Sequence, residues 1–319
     1  MSRCTAALTC LLLIPAALSA DVTLQYKVRY HLNAALPAAL TQAMDTARLT
    51  PSEITIHVSG GRSLTAQGAL TSISDLSTGK ITLLDPVHQH FATVPISQFA
   101  DQAASAIPKM PAAAQGVMAS MKMTTDSRAT GRTAEIQGIQ ADEHEFILSM
   151  GMQMTPDAPP TAVMKMVMQL WQAKPEEMNR NPALREFVAA GTQQMSGIDP
   201  TEMFQKLFAQ FPGMGDSLDT FMKDVAATHS VTLRTHLEMF MPVLAMLSQR
   251  MPAGNNPLAG VDPDAAFMTM DQELAGLSTA PLDQSVFQIP DGYTAVPLAD
   301  ILAANMPTPA TKPALAPQN

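Results

Sequence analysis

The stretch Leu70–Pro95, LTSISDLSTGKITLLDPVHQHFATVP, constrains the fold more than any other part of this 319-residue chain. Ile73, Ile81, Leu83, Phe91 and Val94 recur at strand spacing, interrupted by S-T-G-K and D-P-V-H. Apolar runs bounded by Gly, Pro, Asp and Ser in this way are the pattern of β-hairpins. Two hairpins in succession predict an antiparallel meander. They argue against a nucleotide-binding fold, whose parallel strands need long crossover connections.

The same period continues on both sides. Val22, Leu24, Tyr26, Val28 and Tyr30 alternate with polar neighbours, a half-buried strand. Ala34 to Arg48 is Ala-rich and reads as a helix, and Glu53–Ser59 (EITIHVS) alternates again before Gly60-Gly61 turns the chain into a strand from Arg62. Ser97–Ala106 is expected to be a helix capped by Ser97. Lys122–Ile136 and Ile139–Met154 read as a strand pair around Gly138. VMKMVMQLW, Val163–Trp171, fits either period. A strand is preferred, because Pro159-Pro160 stands where a hairpin loop belongs.

Between Asn179 and Thr228 the apolar period becomes helical. Asn181 precedes Pro182 as a cap before a first-turn proline. Asp199 and Glu202 form a capping-box pattern ahead of Met203, Phe204, Leu207, Phe208 and Phe211, and a third helix starts at Asp216. Strands resume over His229–Glu238, with Met239–Arg250 open between strand and helix, and end with Phe267–Leu277 and Ser285–Ile289. The predicted class is therefore α+β. One domain spans 21–304, with about ten strands and a helical insert at 179–228. The Pro-rich tail, 305–319, has no means of burying itself.

The amino terminus reads as an export signal, residues 1–20. Arg3 precedes an apolar run, Ala6–Ala17, and the small residues of Ala-Leu-Ser-Ala place cleavage near Ala20. That run is too short to span a bilayer, and no later stretch reaches the roughly 18 apolar residues a span needs. Cys10 lies too early to be a lipidated residue. The expected location is periplasmic, with no integral membrane segment in the mature chain.

Both cysteines, Cys4 and Cys10, fall inside the signal, so the mature chain lacks disulfides, thiolate metal sites and thiol nucleophiles. Loss of Arg3 takes the formal charge from −9 to −10. An acidic chain without a Lys/Arg cluster is a poor binder of nucleic acid or anionic membranes. No G-x-S-x-G, P-loop or dinucleotide fingerprint occurs, and no zinc-protease H-E-x-x-H surrounds His144. No enzymatic activity and no cofactor are expected. His88-Gln89-His90 has the composition of a half-site for zinc or copper, yet it sits at an Asp-Pro turn and reads as solvated loop.

Methionine is the compositional anomaly, 24 residues against 11 Phe, 3 Tyr and 1 Trp. It recurs as Met-x-Met at 121/123, 150/152/154, 164/166/168, 239/241 and 268/270, which on strands projects each pair to one face. Thioethers are soft ligands for Cu(I). They are equally a deformable apolar wall. The candidate lining comprises Met150, Met152, Met154, Met164, Met166, Met168, Trp171, Phe204 and Phe208. No metal ligand set is assigned. The phenylalanines of the insert either cover one sheet face or form a movable lid over a lipid-sized cavity.

Asp75–Pro95 (D-L-S-T-G-K-I-T-L-L-D-P…F-A-T-V-P) resembles the signature of a group of exported bacterial proteins similar to the lipoprotein-carrier (LolA/LolB-like) superfamily. Gly131, Gly138, Trp171 and the closing Phe287-x-x-Pro290-x-Gly292-Tyr293 match as well. Phe91 in place of a tyrosine, and the segment Ala34–Arg48, depart from the pattern. The resemblance implies a strongly curved antiparallel sheet, an unclosed barrel, with helices on its concave side. It also implies a non-enzymatic carrier or sensor whose partner is a lipid or lipoprotein. The alternatives are a Met-rich Cu(I)-binding protein and a ligand-free structural module of the envelope.

Overall fold

The computed structural model describes residues 21–37, 41, 52–106, 120–153, 160–195, 230–252, 256 and 258–305. Among these, twelve strands form one unclosed sheet, accompanied by five α-helices, so the α+β class holds. The amino-terminal strands are β1 (Val22–Leu32), β2 (Ser52–Ser59), β3 (Arg62–Gln67), β4 (Leu70–Asp75), β5 (Lys80–Asp85) and β6 (His90–Pro95). Helix α1 (Ile96–Ala106) follows, then β7 (Met121–Ile136), β8 (Ile139–Met152), β9 (Thr161–Ala173), α2 (Pro175–Arg180) and α3 (Pro182–Met195). The last elements are β10 (Thr232–Phe240), α4 (Pro242–Arg250), β11 (Met268–Ser278), β12 (Thr294–Ala295) and α5 (Leu298–Asn305).

The strand order is β12-β6-β5-β4-β3-β2-β1-β11-β10-β9-β8-β7. Two sequential meanders, β1 to β6 and β7 to β11, are joined edge to edge where β1 pairs antiparallel with β11. Every pairing is antiparallel except that of the two-residue β12, which lies parallel to β6. Turn chemistry sets the hairpins. Gly60 and Gly61, at φ 55° and 79°, link β2 to β3 in the left-handed backbone that two-residue hairpin loops require. Gln137 and Gly138, at φ 52° and 76°, do the same between β7 and β8. Asp75 accepts the Ser77 and Thr78 amides in the S-T-G-K turn, and the Ser77 hydroxyl beside it holds its carboxyl below the usual range.

The cross-strand register places apolar side chains on both faces of the first meander. On one face Leu83, Ala92 and Val94 pack with Leu298 and Ile301 of α5 and with Phe99 of α1. On the other, Leu64, Ile73, Leu84 and Phe91 pack against Phe287. A larger core joins Val22, Leu24, Tyr26 and Val28 of β1 to Leu233, Leu274 and, from α3, Ala183, Leu184 and Ala190. Burial raises the Tyr26 phenol's pKa, and its hydroxyl donates to the Thr232 carbonyl at 3.0 Å. Edge strand β7 is blunted by an irregularity between Ala129 and Thr133 and by exposed charges, which discourages further pairing.

Several expectations are refined. Val163–Trp171 is a strand, within β9, and Asn181 caps α3 by accepting the Ala183 amide at 3.0 Å. Met239–Arg250 divides at Met241: the strand runs to Phe240 and a helix begins at Pro242, where proline suits a first turn. Helix α1 starts at Ile96, before Ser97. Ser285–Ile289 is not a strand. Gln284–Phe287 is a 3-10 turn, because the Asp283 carboxylate captures the Ser285 amide at 2.9 Å and closes the chain locally. The predicted signal, most of Ala34–Arg48, the helices from Asp199 and Asp216 and the tail beyond Asn305 lie outside the described residues.

Candidate functional site

The pairing register turns the scattered Met-x-Met repeats into one surface. Residues directly opposite each other on neighbouring strands share a face. Met121 faces Met152, and the next row on that face is Met123–Met150–Met164. The following rows are Leu148–Met166–Met239–Met268–Leu32 and Phe146–Met168–Leu237–Met270–Tyr30. Five strands thus carry ten methionines on one face, the face that also bears Leu24, Tyr26 and Leu274. Met123 is buried and the other nine are partly exposed. Unbranched thioethers at these positions make a continuous, soft apolar band.

Of the predicted lining, Met150, Met152, Met164, Met166 and Met168 come together in this band. Met154, Phe204 and Phe208 lie outside the described residues. Trp171 does not join the band, which corrects its inclusion. It stands opposite Glu143 and Arg234, one residue out of phase with Leu170 and Met168, and so projects from the other face. Its ring carries the Arg234 guanidinium 5.4 Å from the centroid. Near the end of the band, Leu36, Met241, Leu244, Val261 and Phe267 line an apolar pocket of about 180 Å3.

The opposite face is ordered by charge. One row reads Arg128–Glu145–Gln169–His236–Asp271–Arg29 and the next Glu143–Trp171–Arg234–Glu273–Lys27–Glu53. Arg234 Nε bonds Glu273 at 2.6 Å, His236 Nδ1 lies 2.7 Å from Asp271, and Arg128 Nε bonds Glu145 at 2.9 Å. Arg132 pairs with the wholly buried Glu143, whose second carboxylate oxygen, Oε2, has no hydrogen-bond partner among the described residues. An open cleft of about 620 Å3 lies over this face, lined by Lys27, Arg29, His31, Trp171, Arg234, His236, Asp271 and Glu273. Sequence reasoning missed it. Its signal was the charge alternation in K27-x-R29-x-H31, R234-x-H236 and D271-x-E273, which has meaning only once β1, β10 and β11 are known to be neighbours.

His88 and Gln89 lie in the turn that Asp85-Pro86 predicts, and His90 opens β6. Gln89 has φ 54°, His88 Nδ1 lies 2.7 Å from Asp85 Oδ2, and the two imidazoles stack 6.1 Å apart. Among the described residues no group of three or more His, Cys, Asp or Glu is placed to hold a metal ion. No described helix is long and apolar enough to cross a membrane. Compared with protein-family models and with curated proteins, the chain matches none.

Proposed function

We propose that this chain is an exported, non-enzymatic carrier or sensor that receives a lipidic or other apolar ligand on its methionine face in the periplasm. The observation that carries the reading is the band of ten methionines in register across β7–β11. A core meant only to be filled is served best by residues with defined rotamers, whereas methionine suits a surface that adapts to a flexible apolar guest. The reading extends to a sheet curved around that face, with α3 and residues of the 179–228 insert as its cover. The lipoprotein-carrier resemblance of Asp75–Pro95 and the leader-like residues 1–20 support the class of ligand and the compartment.

Native mass spectrometry of protein isolated from its own envelope, paired with displacement of a fluorescent fatty acid, tests this. A co-purifying lipid is expected, and replacing Met166, Met168 and Met270 together by Gln is expected to abolish probe binding. Neither lipid nor probe binding would refute the reading.

A second reading rests on two cross-strand triplets, Met123–Met150–Met164 and Met166–Met239–Met268. Three thioethers on adjacent strands supply a soft donor set of the kind that selects Cu(I). Titration with Cu(I) under reducing conditions decides it. Stoichiometric binding lost in Met166, Met239 and Met268→Leu establishes the reading, and affinity unchanged both in that variant and in Met123, Met150 and Met164→Leu excludes it.

A further inference from the structure

We infer that the cleft on the charged face is a second site, independent of the methionine band, which binds a small anion bearing a phosphate group through Lys27 and Arg29. The argument starts from which charges are already taken. Arg29 stands directly opposite Asp271, and Lys27 directly opposite Glu273. Asp271, however, is engaged by His236 at 2.7 Å and lies 3.9 Å from His31, while Glu273 holds Arg234 at 2.6 Å. Glu53 faces Lys27 from β2 but does not line the cleft. Lys27 and Arg29 form no ion pair among the described residues and both are exposed, two residues apart on one face of β1.

That spacing separates the two side chains by about 6.8 Å along the strand. A tetrahedral phosphate can accept from both at once, through different oxygens, with the planar guanidinium supplying paired donors. Asp271 and Glu273 each already hold a cation of their own, His236 and Arg234, and the residues that line the cleft carry one positive charge in excess: Lys27, Arg29 and Arg234 against Asp271 and Glu273, with Glu53 outside the lining. This is a locally cationic cavity on a chain of net charge −9, which draws small anions without making the whole surface attractive to polyanions. The indole of Trp171, fixed against Arg234, walls the cleft and gives an organic substituent of the phosphate a face to pack on.

Trp171 is also the only tryptophan of the chain, so its emission reports on this cleft alone. Titration of the full chain with inorganic phosphate and with glycerol 3-phosphate, at constant ionic strength, is expected to change that emission saturably, while chloride does not. Lys27→Gln/Arg29→Gln is expected to weaken binding at least about tenfold, the scale of losing two charge-assisted hydrogen bonds. Phosphatidylglycerol vesicles form the second arm. Response to vesicles but not to the free esters assigns the phosphate to a lipid headgroup; response to the free esters assigns it to a soluble ligand. Absence of response in both arms, or binding that the double variant leaves intact, overturns the inference. Both substituted side chains are exposed, and an unchanged circular dichroism spectrum verifies the fold of the variant.

Discussion

Substituting Asp85 would test how the carboxy-terminal helix is held to the first meander. The side chain is 1 % exposed and accepts four hydrogen bonds. Oδ1 takes the Val87 amide at 3.0 Å and the His88 amide at 3.1 Å. Oδ2 lies 2.7 Å from His88 Nδ1 and accepts from Asn305 Nδ2, at the end of α5, at 3.2 Å. Hydrogen bonds to a charged group contribute about 1.5–3 kcal/mol each in favourable settings. The His88 side chain is half exposed, and the turn amides of Asp85→Ala can recover water, so these bonds do not sum in full. We expect Asp85→Ala to lose about 2–3 kcal/mol, and Asp85→Asn, which keeps an acceptor for the two amides, about half of that. With a urea m-value of about 3 kcal/mol/M, the alanine variant's midpoint falls by roughly 0.7–1 M.

The pH dependence supplies an independent check. Burial alone would raise the Asp85 pKa; the hydrogen bonds from His88 and Asn305 outweigh it and hold the carboxyl below its usual range. A carboxyl depressed in the folded state stabilises the fold above its unfolded value, about 3.9, and this stabilisation is lost as the pH falls through the folded value. Wild-type stability should therefore drop more steeply with acid below about pH 4 than that of Asp85→Asn. Urea midpoints for the two proteins at a series of pH values provide the assay. A loss under about 0.5 kcal/mol in Asp85→Ala, or parallel pH profiles, would refute the reasoning.

Arg132→Ala leaves Glu143 buried without its cation and should cost about 2–3 kcal/mol in a denaturation series, with Glu143→Gln in the same background restoring most of it. Gly151→Ala builds a Cβ 2.8 Å from Pro160 Cβ, a rigid ring that cannot step aside, so a loss of about 1–3 kcal/mol in thermal unfolding is expected. Leu233→Ala, at a fully buried position of β10 in the core it shares with β1 and α3, should cost about 2–5 kcal/mol by the same measurement.

What was legible in the sequence follows the range of the interactions. The hairpins of Leu70–Pro95, the turn at Gly60-Gly61 and the cap at Asn181 are decided within a few residues, and each stands where its residues predict. Gln284–Phe287 was misread because one side-chain acceptor, Asp283, outweighs the local strand pattern. Trp171 was misplaced by being grouped with Met168 by proximity in sequence, when three positions along a strand reverses the face. The alignment of ten methionines needed the registers of β7 to β11, and the charged cleft needed the pairing of β1 with β11, strands some 250 residues apart; no local pattern encodes either.

That pairing of the first strand with the last long one also dictates the order of assembly. Both meanders close locally, each strand meeting its predecessor, and such contacts form early. The seam between β1 and β11 forms only after residue 278 is present. A chain emerging amino terminus first holds one whole edge of β1, with Leu24 and Tyr26 beside it, unpaired until β11 has followed. Joining the halves is then expected to be the slow step of folding. Until it is complete, that edge is a template for any extended segment nearby, and the half-made sheet is the species most exposed to misassociation.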